Sequence, residues 1–301
     1  METNILGIHH ITAISGPAQE NYRFYTQTLG LRLVKKTVNF DDPSVYHLYY
    51  GDETGSPGTL MTFFPYGGSG KGNGTGQVAA TCYPVKSLRE WKEKLSIDYR
   101  TETRFDQEVL IFEDPHGMVL EFYQSESAPA RLGPIGGATL RVQSPKPTEE
   151  LLRFLGLKRE AHSENRSRFR IPGSENFLEV EQSDAPPSRG GAGSVHHIAL
   201  RVAEDGAQDF WRKKLVQAGY RVSPVMDRNY FHSIYFRDPA GILFEIATDP
   251  PGMLIDESVE ELGQKLLLPP QHEPHRLRIE SALEPLEGRT LRSQVGEFPS
   301  G

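Results

Sequence analysis

The chain has 301 residues, a formal net charge of −7 and a pI near 5.8, with 37% apolar and 24% charged residues. This length allows two domains and a sizeable core, and the acidic balance gives no electrostatic basis for binding nucleic acid or an anionic membrane surface. No apolar run is long enough to span a bilayer. Cys82 is the only cysteine, so no intrachain disulfide can form and a cytoplasmic location is expected.

Two sequence signatures occur twice along the chain at nearly the same offset. The segment DPHGMVLE at 114–121 recurs as DPAGILFE at 238–245, and Leu-Gly-Leu at 29–31 recurs at 155–157. Two unrelated signatures repeated in this way predict the duplication of a half of the chain. The predicted parts are an N-terminal domain at 1–132, a C-terminal domain at 133–250 and a C-terminal extension at 251–301.

Each half divides again into two modules with the order β-α-β-β-β, which predicts an α+β fold of four modules in two tandem domains. The first strands of the modules are predicted at 7–14, 77–85, 137–142 and 195–202. The helices are predicted at 18–29, 88–95, 148–155 and 207–218. Further strands are predicted at 33–39, 45–50, 59–64, 109–113, 118–123, 168–171, 176–181, 233–237 and 242–247. The extension is expected to contain helical stretches at 259–267 and 273–283.

Two of the four first strands carry adjacent histidines, His9-His10 in the first module and His196-His197 in the fourth. Side chains alternate faces along a strand, so in each pair one imidazole is expected to point inward and the other outward. A lone buried histidine is more often a satisfied core residue than a ligand. Two identical pairs in matching strands favour a shared site instead.

The fourth module carries both a histidine strand and the repeated Asp-Pro-x-Gly strand, which ends in Glu245. If this module faces the first across a cavity, His10, His197 and Glu245 form a set of two imidazoles and one carboxylate. This set suits non-haem Fe(II) and leaves positions open for an oxygenated aromatic and O2. The alternative for Glu245 is a buried carboxylate paired with an arginine such as Arg237. Glu121, at the matching place in the second module, has no histidine strand in its own half and is read as a relic or a structural residue.

These features resemble the vicinal oxygen chelate superfamily, which includes glyoxalases and extradiol dioxygenases. The resemblance rests on the four-module plan, the two His-His strands and the Asp-Pro-x-Gly strand that ends in glutamate. More narrowly, the segments 7–65, 194–202 and 227–253 are similar to hydroquinone ring-cleaving dioxygenases. The resemblance implies that Fe(II) is held by the second histidine of each pair and by the glutamate of the last strand.

The resemblance also implies roles for residues around the metal. His9 and His196, the first histidine of each pair, would support the ligands without binding the ion. Arg228 and Tyr235 match an arginine and a tyrosine that lie near the substrate in the family. His232 is a candidate substrate or proton-relay residue because an imidazole titrates near neutrality. The family members that act on chlorinated substrates carry an acid at this place, so the substrate stays open.

The implied activity is Fe(II)-dependent insertion of O2 into a hydroquinone-type or catechol-type ring, with the small aromatic and O2 as partners. One alternative is a glyoxalase-type metal-dependent isomerase or thiol transferase. Such sites usually have a fourth protein ligand, and the strand 60–64 offers no acid for that role. Another alternative is a non-catalytic protein that sequesters a quinone-like ligand. The sequence gives no sign of nucleic-acid or membrane partners, and it leaves a homo-oligomer open.

Overall fold

The computed structural model describes residues 3–68 and 74–286, which form four modules and part of the C-terminal extension. The first module comprises β1 (Gly7–Ser15), α1 (Ala18–Arg23), β2 (Arg32–Val38), β3 (Tyr46–Gly51) and β4 (Leu60–Pro65). The second comprises β5 (Gln77–Val85), α2 (Leu88–Lys94), β6 (Tyr99–Arg104), β7 (Gln107–Glu113) and β8 (Val119–Gln124). The third comprises β9 (Gly137–Val142), α3 (Pro145–Phe154), β10 (Lys158–Ser163), β11 (Arg166–Arg170) and β12 (Phe177–Gln182). The fourth comprises β13 (Val195–Val202), α4 (Asp205–Gln217), β14 (Met226–Asp227), β15 (Phe231–Arg237) and β16 (Leu243–Pro251).

The α+β class and the order β-α-β-β-β are confirmed in all four modules, with local differences. The first helix ends as a π-helical turn at Phe24–Thr28, and Gly30 follows with a φ of +78°, as a glycine after a helix is expected to do. Three strands were not predicted. The edge strands β6 and β10 are almost entirely exposed and rich in charge, without apolar alternation, and β14 has only two residues.

The extension contains the helix α5 (Arg276–Ala282), within the stretch predicted at 273–283. The helix predicted at 259–267 is wrong, because the chain there forms turns. Gly263 has a φ of +75°, which interrupts a helix, and its Cα approaches the backbone carbonyl of Leu33 too closely for any side chain. The last part of the predicted extension, 287–301, lies outside the described residues. Within the described ranges, no helix has the length and apolarity of a membrane span.

The strands form two eight-stranded sheets, and each sheet combines one module from each half of the sequence. The first sheet has the order β14-β15-β16-β13-β1-β4-β3-β2 and unites modules one and four. The second has the order β10-β11-β12-β9-β5-β8-β7-β6 and unites modules two and three. The two histidine-bearing strands, β1 and β13, are therefore antiparallel neighbours at the centre of one sheet. The sheets do not follow the halves of the sequence, and the division at 132 stays a prediction.

The two repeated Asp-Pro turns connect the sheets. Asp114 of the second module accepts a hydrogen bond from the Tyr25 hydroxyl of the first module at 3.1 Å. Asp238 of the fourth module accepts one from the Thr148 hydroxyl of the third at 2.6 Å. Both carboxylates also accept backbone N–H groups of their own turns. The aspartate of each repeated motif thus links two modules that belong to different sheets. The helices and the sheet faces that they cover pack in one apolar core.

The extension packs on the first sheet. Leu266 forms a backbone bridge to Lys36 on the edge strand β2, which protects that edge. Met253 and Leu262 pack in a separate apolar cluster that includes Tyr49 and the ring of Phe231. The extension therefore supports the interior face of the sheet that carries the histidines.

Candidate metal centre

Both His-His pairs lie at β-bulges. In the pairing of β1 with β13 the register shifts at His9 on one strand and at His196 on the other, so each is the extra residue of a bulge. Nδ1 of His9 lies 2.8 Å from Nδ1 of His10, and Nδ1 of His196 lies 2.7 Å from Nδ1 of His197. The expected arrangement of one inward and one outward imidazole is wrong, because a bulge breaks the alternation and brings both rings to one side.

The second histidine of each pair meets Glu245. The Nε2 atoms of His10 and His197 lie 3.1 Å apart. The Glu245 Oε2 atom lies 3.4 Å from the first and 3.0 Å from the second. All three side chains are buried, and their candidate ligand atoms lie within 4.8 Å of one another. We call these three residues the triad. Arg237 does not pair with Glu245, since its guanidinium donates to the Gly241 carbonyl.

The charges in the triad fit a cation. Burial by itself would raise the pKa of Glu245, but His10 and His197 outweigh it and hold this pKa well below its usual range. Burial lowers the pKa of His197, so its ring is neutral near pH 7. The Ser233 hydroxyl donates to Glu245 Oε1, whereas Oε2 is buried without a hydrogen bond of good geometry and faces the two Nε2 atoms. A buried carboxylate oxygen that faces nitrogen lone pairs is costly, and a divalent metal ion would relieve that cost.

The first histidine of each pair can fix the tautomer of the second. If the proton of His10 or His197 lies on Nδ1 and is donated to the neighbouring ring, its Nε2 lone pair points toward Glu245. The neighbouring ring must then be a neutral acceptor. Burial and, next, His10 lower the pKa of His9 well below its usual value. Burial and, next, His197 lower the pKa of His196 to about 4. Both rings can therefore accept this proton at neutral pH.

A cavity of about 360 Å³ lies beside the triad, a volume suited to one small aromatic molecule. Phe64 and Phe231 contribute rings to its wall. Arg228 and Tyr235, from the fourth module, also line it, and Arg228 Nε donates to the Tyr235 hydroxyl at 3.2 Å. Burial and, next, Glu245 raise the pKa of Tyr235, so its hydroxyl keeps its proton. The exposed Asp41 carboxylate lies 3.5 Å from the Arg228 guanidinium.

His232 is not brought to the cavity. It lies on β15 between Phe231 and Ser233, whose side chains face the triad, and strand alternation turns its ring to the opposite side. Its Nδ1 lies 2.7 Å from the carboxylate of Asp205, at the start of α4. We therefore correct the sequence interpretation and do not propose that His232 contacts the substrate.

A row of hydrogen-bonded side chains on the first-module wall was not among the predicted site residues. The hydroxyls of Thr12 and Thr62 lie 2.8 Å apart, and Thr62 lies 2.9 Å from His47 Nε2. His47 Nδ1 lies 2.9 Å from the Tyr49 hydroxyl. In the first module, Thr62 on β4 pairs with Thr12, two residues after His10. In the fourth module, Glu245 on β16 pairs with Ala199, two residues after His197. Thr62 therefore occupies the position in the first module that Glu245 occupies in the fourth. Alternation along β3 and β4 was the signal that could have placed these side chains on the interior face.

The matching place in the second sheet holds an ion pair. β5 pairs with β9 in the same register in which β13 pairs with β1. In this register Ala80 occupies the position of His197, and Gly137 occupies the position of His10. Glu121 corresponds to Glu245 and accepts hydrogen bonds from Arg104 at 2.8 Å and from the Cys82 thiol at 3.3 Å. Glu121 thus takes part in a buried polar cluster without imidazoles.

A family model described as the glyoxalase/bleomycin resistance protein/dioxygenase superfamily matches residues 7–122 and 137–246. The chain belongs to this superfamily. The resemblance seen in the His-His strands and the repeated Asp-Pro strand is therefore confirmed. The two matched segments cover all four modules, which agrees with the duplicated architecture.

Known proteins with high similarity cover nearly the whole chain. MhqO of Bacillus subtilis (strain 168), provisionally named a ring-cleaving dioxygenase, is 45% identical over 97% of this chain and 100% of its own length. The chlorohydroquinone/hydroquinone 1,2-dioxygenase of Sphingobium indicum is 35% identical over 89% of this chain and 92% of its own. A crystal structure of a Bacillus subtilis protein, provisionally named a dioxygenase, superposes with a TM-score of 0.90 at 45% identity. It covers 96% of this chain and 99% of its own.

Proposed function

We propose that this protein is an Fe(II)-dependent dioxygenase that uses O2 to cleave the ring of a hydroquinone-type or catechol-type aromatic. The convergence of His10, His197 and Glu245 beside a cavity of aromatic size carries this proposal. The relatives support it, because one is named a hydroquinone dioxygenase and another a ring-cleaving dioxygenase. The family match alone would be compatible with several chemistries, so the triad and the cavity are needed for the choice.

The triad would hold the ion through two imidazole Nε2 atoms and one carboxylate oxygen. Three such ligands leave other coordination positions open, and this donor set is typical of non-haem Fe(II) oxygenases. Bound Fe(II) would supply the redox chemistry through which an electron-rich ring reacts with O2. Ser233 would keep Glu245 in place through Oε1, and His9 and His196 would keep the ligand rings in the required tautomer.

The cavity residues would bind and orient the aromatic. The Arg228 guanidinium would favour the ionised oxygen of a phenolate, since a positive group near a forming anion stabilises it. The Tyr235 hydroxyl keeps its proton and would donate it in a hydrogen bond to the same end of the substrate. Phe64 and Phe231 would pack against the ring and exclude water from it.

A glyoxalase-type reaction is disfavoured by the residue at the fourth ligand position. Thr62 lies at this position in the strand register, and its hydroxyl is within hydrogen-bonding distance of the Thr12 hydroxyl and of His47 Nε2. A neutral hydroxyl in such contacts is a poor ligand compared with a carboxylate. The site would therefore keep an open side, which a reaction of an aromatic with O2 needs and a fully protein-ligated site lacks.

The test is anaerobic loading of the full chain with Fe(II) or Mn(II), followed by oxygen uptake with a panel of hydroquinones and catechols. We expect uptake and a ring-opened product with Fe(II), and loss of both in His10→Ala, His197→Ala and Glu245→Gln. His162→Ala, a histidine of the second sheet, is the matched control. Full metal content and turnover in the His197 variant would overturn the ligand assignment. Conversion of methylglyoxal with glutathione, without oxygen uptake on any aromatic, would favour the isomerase instead.

A further inference from the structure

The cavity has a second polar wall, contributed by β3. His47 and Tyr49 are two residues apart on that strand, so both side chains face the interior, and both line the cavity. Phe64 lies between this wall and the histidine strand, with ring centroids 4.4 Å from His47 and 5.8 Å from His196. The roles proposed above for Arg228 and the triad leave this wall without a function.

The row of hydrogen bonds on this wall reaches the cavity at His47 and Tyr49, and it leaves hydrogen-bonding capacity at the Tyr49 hydroxyl. The row runs from Thr12 through Thr62 and His47 to Tyr49. Burial and, next, His10 lower the pKa of His47 well below its usual value, so the ring is neutral and one nitrogen donates while the other accepts. Whichever direction the row adopts, Thr12 is the end away from the cavity and Tyr49 is the end that lines it. A phenolic hydroxyl has one donor and two acceptor positions, and the bond to His47 uses one of them.

A 1,4-dihydroxy ring would match the two walls of the cavity. Its two hydroxyls point in opposite directions, so one held near the triad and Arg228 directs the other away from the fourth module. An unpaired hydroxyl in a buried site is costly, and it needs a partner on the far side. The first-module wall offers such a partner in a cavity that is otherwise lined largely by rings.

We propose that the Tyr49 hydroxyl, positioned by His47, binds the second hydroxyl of the substrate and thereby selects 1,4-dihydroxy rings over monophenols. This inference rests on the proposed function. Tyr49 is the contact residue, and its ring is fixed by the apolar cluster that also holds Met253 and Leu262 of the extension. His47 is a positioning residue, because it acts through its hydrogen bond to Tyr49 and is itself held through Thr62.

The test compares anaerobic equilibrium binding of hydroquinone and of phenol to the Fe(II)-loaded full chain by calorimetry. We expect hydroquinone to bind about tenfold more tightly, the effect of roughly one buried hydrogen bond. Tyr49→Phe and His47→Phe should remove this difference by weakening hydroquinone alone. His47→Gln should restore much of it, since its amide can still bond to Tyr49. Tyr99→Phe, at an exposed tyrosine of the second sheet, is the matched control.

Turnover gives an independent readout. In Tyr49→Phe we expect KM for hydroquinone to rise about tenfold with little change in kcat, because the lost contact is remote from the reacting end. Equal weakening of phenol and hydroquinone would point to a merely structural role and overturn the inference, as would no change in either. Wild-type protein with the tenfold preference but no oxygen uptake would overturn the dioxygenase proposal and leave the binding inference intact. Wild-type protein without any preference would overturn the binding inference alone.

Discussion

Glu121 and Glu245 occupy the same place in the two repeated Asp-Pro-x-Gly strands, but they have opposite surroundings. An Arg104 nitrogen lies 2.8 Å from Glu121 Oε2, whereas Glu245 Oε2 faces the imidazoles of His10 and His197. Both carboxylates are buried. The duplicated architecture therefore contains one ion-pair site and one candidate metal site built on the same backbone.

Substitution by glutamine is expected to affect stability at Glu121 and metal binding at Glu245. Glu121→Gln should lower the free energy of unfolding by about 3 kcal/mol, the lower end for a broken buried pair, because Arg104 also faces Glu102 and Glu179. Its Fe(II) content should stay at the wild-type level. Glu245→Gln should lose the metal. Urea unfolding of the apo-proteins and metal analysis of the loaded proteins separate the two effects, and iron loss in Glu121→Gln would contradict this assignment.

The bulged histidine His196 is expected to tune metal affinity without binding the ion. His196→Ala removes the partner of His197 Nδ1 and should weaken Fe(II) binding about 10–100-fold. His196→Asn is the matched variant, because its side-chain oxygen can accept a hydrogen bond near the original Nδ1 position. Its Fe(II) affinity should fall less than that of the alanine variant. Competition with a calibrated Fe(II) chelator measures both. Equal affinity of the alanine variant and the wild type would show that the ring is dispensable for the ligand geometry.

The candidate ligands are recognisable in the sequence from local signals. The His-His pairs, the repeated Asp-Pro turn and Glu245 are visible as residue types at fixed places along predicted strands. These residues can converge only if the first and fourth modules lie side by side. The structure brings the two modules together by pairing β1 with β13. Pairing between strands so far apart in sequence depends on the whole fold, and no local pattern encodes it.

The remaining differences arise where register decides the outcome. A bulge at His9 or His196 changes the direction of a side chain without changing any strand propensity. The side to which His232 points depends on the registry of β15, so its residue type alone suggested a role that its position does not support. His47 was missed for the converse reason, because it is a single polar residue in an apolar strand and gains meaning only beside Thr62.

The Cys82 thiol is expected to be inert in the folded protein. Burial and, next, the charge of Glu121 raise its pKa well above the usual value, so the reactive thiolate is scarce even at mildly alkaline pH. Labelling with a chromogenic disulfide reagent at pH 8 should be slow in buffer and complete within the mixing time in concentrated urea. Rapid labelling of the native protein would contradict both the burial and the ionisation state described here.

The C-terminal extension is expected to depend on one buried lysine. Lys35 Nζ lies 2.6 Å from the carboxylates of both Asp256 and Glu257, and 4.8 Å from the ring centroid of Tyr230. The lysine side chain is fully buried. Lys35→Met leaves negative charge without its counter-ion, and the free energy of unfolding should fall by about 3–5 kcal/mol. Urea unfolding monitored by circular dichroism measures the loss.

The neighbouring Lys36 supplies the control for this prediction. Its half-buried side chain makes one hydrogen bond, from Nζ to a backbone carbonyl of the extension at 3.3 Å, so Lys36→Met should cost only about 1 kcal/mol. If the loss in Lys35→Met comes from unpaired charge, addition of Asp256→Asn and Glu257→Gln should recover much of it, because no buried ion then remains. A triple variant as unstable as the single one would mean that packing, not charge, fixes the extension to the sheet. In that case Met253→Ala, which removes apolar packing next to Tyr49 without changing any charge, should also lower the free energy of unfolding.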